Sequence, residues 1–113
     1  MMRKVVVLLF LLAGSLAAAR ADEPALNRPL TEAEQRGQAL FDRHCASCHP
    51  RTPVPGAVAP AVSRESQGGQ AEWMADFIRK GTPRMPGFAN RLGEAEVDAI
   101  VQYLKTVPAP EHT

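Results

Sequence analysis

The chain has 113 residues, with 13 Lys and Arg against 12 Asp and Glu and 45% apolar residues. That length holds one domain at most and excludes a multidomain enzyme, a coiled coil and a polytopic membrane protein. The near-neutral balance argues against nucleic acid as a partner.

Met1-Met2-Arg3-Lys4 is a basic start, residues 5–16 are mostly apolar, and Ala19-Arg20-Ala21 fits a small-residue cleavage site. Residues 1–21 therefore read as a secretory signal peptide, cleaved near Ala21. The weakly polar stretch 5–19 spans 15 residues, short of the roughly 20 that a spanning helix needs. No stable membrane span is expected after cleavage.

The remaining 92 residues hold 35 apolar side chains, 13 of them Ala. Twenty-two larger apolar side chains make a thin core for a domain of this size. Something other than side chains is expected to fill part of it. Cleavage leaves ten basic and twelve acidic residues, unevenly spread. Residues 43–91 carry seven basic and three acidic groups; the rest of the mature chain carries three and nine.

Residues 22–30 hold Pro24 and Pro29 without periodicity and read as an extended lead-in. Thr31 and Glu34 form a capping box, which predicts a helix from there to His44. Ala33, Gly37, Leu40, Phe41 and His44 share one face of it. Four prolines between positions 50 and 60 exclude a helix or a central strand. That segment is a loop that owes its order to what it packs on. Gly68-Gly69 is a further break. A second helix is predicted over 70–80, with Trp73, Phe77 and Ile78 on one side and Gly81 as its C-terminal cap. A loop around Pro83 and Pro86 follows. The third helix runs from Gly93 to about Thr106, with Val97, Ile100, Val101 and Leu104 in register and acidic residues in its first turns. Pro108 and Pro110 end it, leaving 108–113 as a tail. No stretch alternates with period two, so no sheet is expected.

Cys45-Ala46-Ser47-Cys48-His49 is C-x-x-C-H, the attachment signature for c-type haem. Two thiols one helical turn apart can add to the two vinyl groups on one porphyrin edge. The following imidazole then lies under the ring, within reach of iron. Three other readings compete. A redox dithiol of the thioredoxin type wants a strand-helix context that is lacking here. Zinc wants more ligands than two Cys with His44 and His112 supply. A plain structural disulfide suits an exported protein. The adjacent His, the export signal and the thin core favour haem.

With these residues in place, the chain resembles the small bacterial class I c-type cytochromes, with one haem and His/Met ligation, over residues 31–107. Gly37, Phe41 and Cys45 match the family's first helix, and Ile100, Tyr103 and Leu104 its last. The resemblance implies an all-α cytochrome c fold, with three main helices and proline-rich loops wrapped around one covalent haem c. Gly37 would let the first and last helices cross closely. Residues 78–86 resemble the stretch leading to the second iron ligand. This implies Met85, in a proline-bracketed loop 36 residues after His49, while Met74 lies on the second helix as a core filler. Val58-Ala59-Pro60-Ala61-Val62 resembles a Gly-Pro-x-Leu segment, with Ala59 in place of Gly and Val62 in place of Leu. The match implies that the Pro60 carbonyl accepts a hydrogen bond from the His49 ring. Trp73 has two readings, an indole donor to a haem propionate or a packed side chain.

The expected function is one-electron transfer by a periplasmic monohaem cytochrome with His49 and Met85 as axial ligands. It would act as a soluble shuttle or as the cytochrome subunit of a periplasmic redox enzyme, an electron carrier rather than a catalyst. Arg43, Arg51, Arg79, Lys80, Arg84 and Arg91 would form a basic face for redox partner proteins. The alternatives are a haem enzyme or gas sensor with an open sixth position, and a haem-free thiol-disulfide oxidoreductase.

Overall fold

The computed structural model describes residues 28–110. The signal peptide, most of the lead-in and His112 lie outside these residues. Three helices are present: α1 over Glu32–His44, α2 over Ala71–Lys80 and α3 over Glu94–Leu104. A short 3-10 segment, Ser66–Gly69, precedes α2. Among the described residues there is no strand beyond one isolated pairing of Thr82 with Met85.

Local chemistry supplies hydrogen-bond partners at the starts of α1 and α3, whereas α2 has no side-chain cap. Glu34 N–H donates to Thr31 Oγ1 at 3.2 Å, and Thr31 N–H donates to the Glu34 carboxylate at 2.9 Å. Arg28 adds a bidentate pair to the same carboxylate, at 2.7 and 2.8 Å. Glu34 is buried by these contacts, and its pKa falls to about 2, first through the Arg28 hydrogen bonds. At α3, the Gly93 N–H donates to Glu96 Oε1 at 3.1 Å.

The core is small and lies between α1, α2 and α3. Its most deeply buried members are Val97 and Ile100, both on α3. Phe41 from α1 packs on Tyr103 from α3, ring centres 5.6 Å apart. The closest approach is at Gly37, where a Cβ would stand 1.9 Å from the Ala99 carbonyl oxygen and 2.9 Å from Tyr103 Cβ. A side chain there would push the helices apart.

On α2 the buried face differs from the expected one. Met74, Ala75 and Ile78 face inward, whereas Trp73 is 59% and Phe77 37% exposed. The wheel groups Trp73, Phe77 and Ile78, but α3 takes up the neighbouring strip. Trp73 is thereby left largely uncovered, and Phe77, one turn on, partly so.

Gly37→Val should lower the unfolding free energy by about 3 kcal/mol, the upper end for overpacking a tight contact, as read by chemical denaturation. Glu34→Gln should cost about 2 kcal/mol at neutral pH, since it removes a charge-assisted pair. Because folding depresses the Glu34 pKa, its stabilisation is full above the ordinary carboxylate value. It fades as pH falls toward about 2. Acid titration of wild type and Glu34→Gln should therefore converge at low pH.

Candidate haem site

The attachment motif continues α1. Cys45 N–H closes the helix on the Phe41 carbonyl at 2.8 Å, and the Cys48 and His49 N–H groups both return to the Cys45 carbonyl, at 3.1 and 2.9 Å. The chain thus makes one further turn that carries both thiols and the imidazole. Cys45 is buried in the core cluster, Cys48 is exposed, and the two are separate thiols. Burial, with Cys48 beside it, pushes the Cys45 thiol up to about 11. A dithiol catalyst needs the opposite, an accessible thiol with a lowered pKa, so Cys45 is a poor nucleophile for thiol exchange.

His49 is half-buried, and its Nδ1 lies 2.7 Å from the Pro60 carbonyl oxygen. A carbonyl only accepts, so Nδ1 carries the proton and Nε2 presents its lone pair. The ring is oriented as a metal-binding imidazole is, by a hydrogen bond on its other nitrogen. Between these two residues the loop is open. Residues 51–58 are all exposed, with Val54 at 52% and Val58 at 84%. Pro53, Val54, residues 56–61 and Pro110 line a cleft of about 420 Å³.

Arg51 ties the start of this loop to both long helices. Its guanidinium donates to Tyr103 Oη on α3 at 3.1 Å and to the Asp42 carboxylate on α1 at 2.5 Å. The sequence marks Arg51 only as a surface cation; nothing in its spacing announces a partner 52 positions away.

Met85 is half-buried against the core, whereas Met74 is 2% exposed inside it. The loop carrying Met85 folds back on the end of α2. Gly81, at φ 67°, caps the helix, and its N–H donates to the Phe77 carbonyl at 2.8 Å. A Cβ on Gly81 would lie 2.4 Å from the Met85 carbonyl oxygen, and one on Gly87 would lie 2.6 Å from that of Lys80. Phe88 N–H then donates to the Ile78 carbonyl at 2.9 Å. Phe88 also takes the edge of the His44 ring at 6.1 Å and the Arg91 guanidinium at 5.9 Å. Half-buried His44 packs there, at the last position of α1.

A family model described as cytochrome c oxidase, cbb3-type, subunit III matches residues 32–104. The chain belongs to this family of c-type cytochromes. Its fold is shared with cytochrome c6 of the diatom Phaeodactylum tricornutum, 22% identical with a TM-score of 0.52 over 63% of this chain and 88% of that one. Cytochrome c6A of Arabidopsis thaliana, 25% identical with a TM-score of 0.52, covers 67% and 90%. Over 81 residues the chain is 36% identical to dihydro-heme d1 dehydrogenase of Pseudomonas aeruginosa. That match takes in 69% of this chain and 16% of the relative, so this cytochrome spans about a sixth of the relative's length. The family carries covalently bound haem c.

The residues present fit that group. Two thiols lie one turn apart, and an imidazole has its second nitrogen already bonded. Apolar side chains stand uncovered in the loop beside it. Among the described residues no helix is long and apolar enough to cross a membrane.

Arg51→Ala should lower stability by about 1 kcal/mol, as for a partly exposed pair with one further hydrogen bond. Arg51→Lys should recover only part, because one ammonium cannot span Asp42 and Tyr103 as the planar fork does. Thermal denaturation of the three proteins checks this.

Proposed function

We propose that this cytochrome passes single electrons outside the cytoplasm, serving a periplasmic oxidoreductase as its shuttle or cytochrome subunit. The observation that carries the reading is the His49 ring held by the Pro60 carbonyl at 2.7 Å, directly after two thiols one turn apart. In this proposal residues 1–21 direct export and are removed, and residues 31–107 form the cytochrome domain. The likeness to a stretch of dihydro-heme d1 dehydrogenase supports the link to a redox enzyme, since that relative has a cytochrome-like segment within a much longer chain.

Cys45 and Cys48 hold the haem through two thioethers, so it cannot dissociate. His49, through Nε2, and Met85, through its thioether, would be the protein ligands that hold the iron. Bound haem c supplies the one-electron ferric/ferrous couple. Two protein side chains on the iron leave no position for substrate or O₂, which separates this reading from a haem enzyme or gas sensor. The thioether raises the reduction potential by favouring the ferrous state. Trp73, on the exposed side of α2, is a donor for a propionate.

The partner surface is basic. Of the six cations between Arg43 and Arg91 considered for it, three are already paired. Arg51 lies on Asp42, Lys80 is 3.0 Å from Asp76, and Arg79 is 3.7 Å from Asp98. Among the described residues Arg43, Arg84 and Arg91 form no ion pair. They are the residues proposed to steer an acidic partner.

The test is the optical spectrum and midpoint potential of the purified protein and two variants. Met85→Ala should lose the thioether-to-iron charge-transfer band, bind carbon monoxide promptly when reduced and drop in potential. Met74→Ala should keep the band and lose about 3 kcal/mol of stability, as for a buried Met truncated in a core. The reverse pattern would move the ligand to Met74. In the second measurement, association with an acidic redox partner should slow as salt rises. Replacing Arg43, Arg84 and Arg91 together should flatten that dependence, whereas replacing Lys80 should change it little.

A further inference from the structure

The Met85 loop holds itself in shape through one side chain outside the ligand set. Thr82 N–H donates to the Met85 carbonyl at 2.8 Å, and Met85 N–H returns to the Thr82 carbonyl at 3.2 Å. These two bonds close a four-residue turn, 82–85. Inside it the Thr82 hydroxyl oxygen accepts from two backbone donors, Arg84 N–H at 3.2 Å and Met85 N–H at 3.1 Å. The hydroxyl thus sits at the centre of the turn and fixes the peptide on each side of Arg84. Hydroxyl side chains that bond the backbone two and three residues on stabilise such turns in the way an N-cap does.

The surroundings give this turn little else. Thr82, Pro83 and Arg84 are exposed, and so are Pro86 and Gly87. Contact with the core comes from Met85 itself and from Phe88 beyond it. On one side the turn is anchored by Gly81, which has no room for a Cβ beside the Met85 carbonyl, and on the other by Gly87 against the Lys80 carbonyl. Those anchors set where the turn begins and ends. Within the turn the Met85 carbonyl accepts from Thr82 N–H, and the Met85 N–H is held by two acceptors, both from Thr82, its carbonyl and its hydroxyl.

We infer that Thr82 is a positioning residue for the sixth iron ligand, its hydroxyl holding the Met85 backbone so that the thioether stays closed over the iron. This rests on the reading of Met85 as the axial ligand. Thr82 touches neither haem nor iron in this role. It acts on how often Met85 swings away, and hence on how readily an outside ligand enters.

The test uses the haem-loaded protein in the ferric state and follows displacement of the thioether by imidazole through loss of the charge-transfer band. Thr82→Val keeps the branched shape and removes the acceptor; Thr82→Ser keeps the acceptor and removes the methyl. In Thr82→Val the rate of imidazole entry at saturation, set by opening of the Met85 loop, should rise about fivefold, equivalent to losing one net hydrogen bond of about 1 kcal/mol. Thr82→Ser should stay within twofold of wild type. Both variants are exposed substitutions and should load haem. Equal rates in wild type and Thr82→Val would overturn the inference, and so would a Thr82→Ser variant as fast as Thr82→Val. Met85→Ala serves as the control for the underlying assignment. If it retains the charge-transfer band, Met85 is not the ligand and the role of Thr82 goes with it. If it loses the band while Thr82→Val exchanges at the wild-type rate, the positioning role alone is wrong.

Discussion

The approach of α1 to α3 at Gly37 fixes the rest. The Ala99 carbonyl oxygen occupies the space where a Cβ would be, so the two backbones touch with no side chain between them. That contact sets the position of α1 along its whole length. Because Cys45 N–H closes the last turn of α1 on Phe41, and Cys48 and His49 continue the turn, it also sets where the thiols and the imidazole stand. Phe41 packing on Tyr103 one turn further along reinforces the same crossing. The attachment motif is a short piece of sequence, but it owes its placement to a contact eight residues upstream.

The two sides of the site are held by different kinds of interaction. On the His49 side one tether crosses the fold: the Pro60 carbonyl accepts from the ring nitrogen and Asp42 from Arg51 within the attachment region, while Arg51 also reaches Tyr103 on α3, 52 residues away. The bond from Arg51 to Tyr103 exists only when α3 is packed against α1. On the Met85 side the bonds span few residues, from Ile78 to Phe88, and close a turn on the end of α2. Few apolar contacts guard that turn, which is the condition under which a segment opens at a cost well below global unfolding. Opening of the Met85 side can therefore occur with the His49 side intact. On the proposed assignment, thioethers at Cys45 and Cys48 would make the asymmetry stronger, since they would keep the haem attached when Met85 departs.

Much of this was legible because it is local. Thr31 with Glu34, the C-x-x-C-H run and Gly81 after Lys80 are each read within a few residues, and the structure forms the capping box and the helix end where the sequence places them. Three features were not read from the sequence. Arg28 belongs to a stretch without periodicity, yet its guanidinium, six residues from Glu34, completes that cap. The bond from Arg51 to Tyr103 joins residues 52 apart. On α2 the burial of Met74 and Ile78 is as the sequence suggests, but packing on α3 takes Ala75 and leaves Trp73 and Phe77 exposed. In the last two cases a partner distant in sequence decides the outcome. The thin core was also legible. A chain with 22 larger apolar side chains leaves Trp73, Phe77, Val54 and Val58 uncovered, as expected of a fold in which a large apolar group completes the interior.

Charge shows the same separation between composition and placement. Counted along the chain, residues 43–91 carry seven basic and three acidic groups. Folding brings Asp42 onto Arg51 and Asp98 toward Arg79, both acids from outside that stretch, and Lys80 takes Asp76 from within it. Of the seven cations in that stretch, Arg43, Arg64, Arg84 and Arg91 remain without an ion pair among the described residues. Arg91 lies over Phe88, which also carries the edge of the His44 ring, so this arginine stands beside the end of α1 from which the attachment motif continues. Arg84 is the residue before Met85. A partner drawn by these charges would be brought to the neighbourhood of both ligand segments. Cations already neutralised by a carboxylate contribute a weaker, shorter-ranged field. On the proposed reading of the partner surface, pairing within the fold would leave the unpaired arginines as the main source of steering charge.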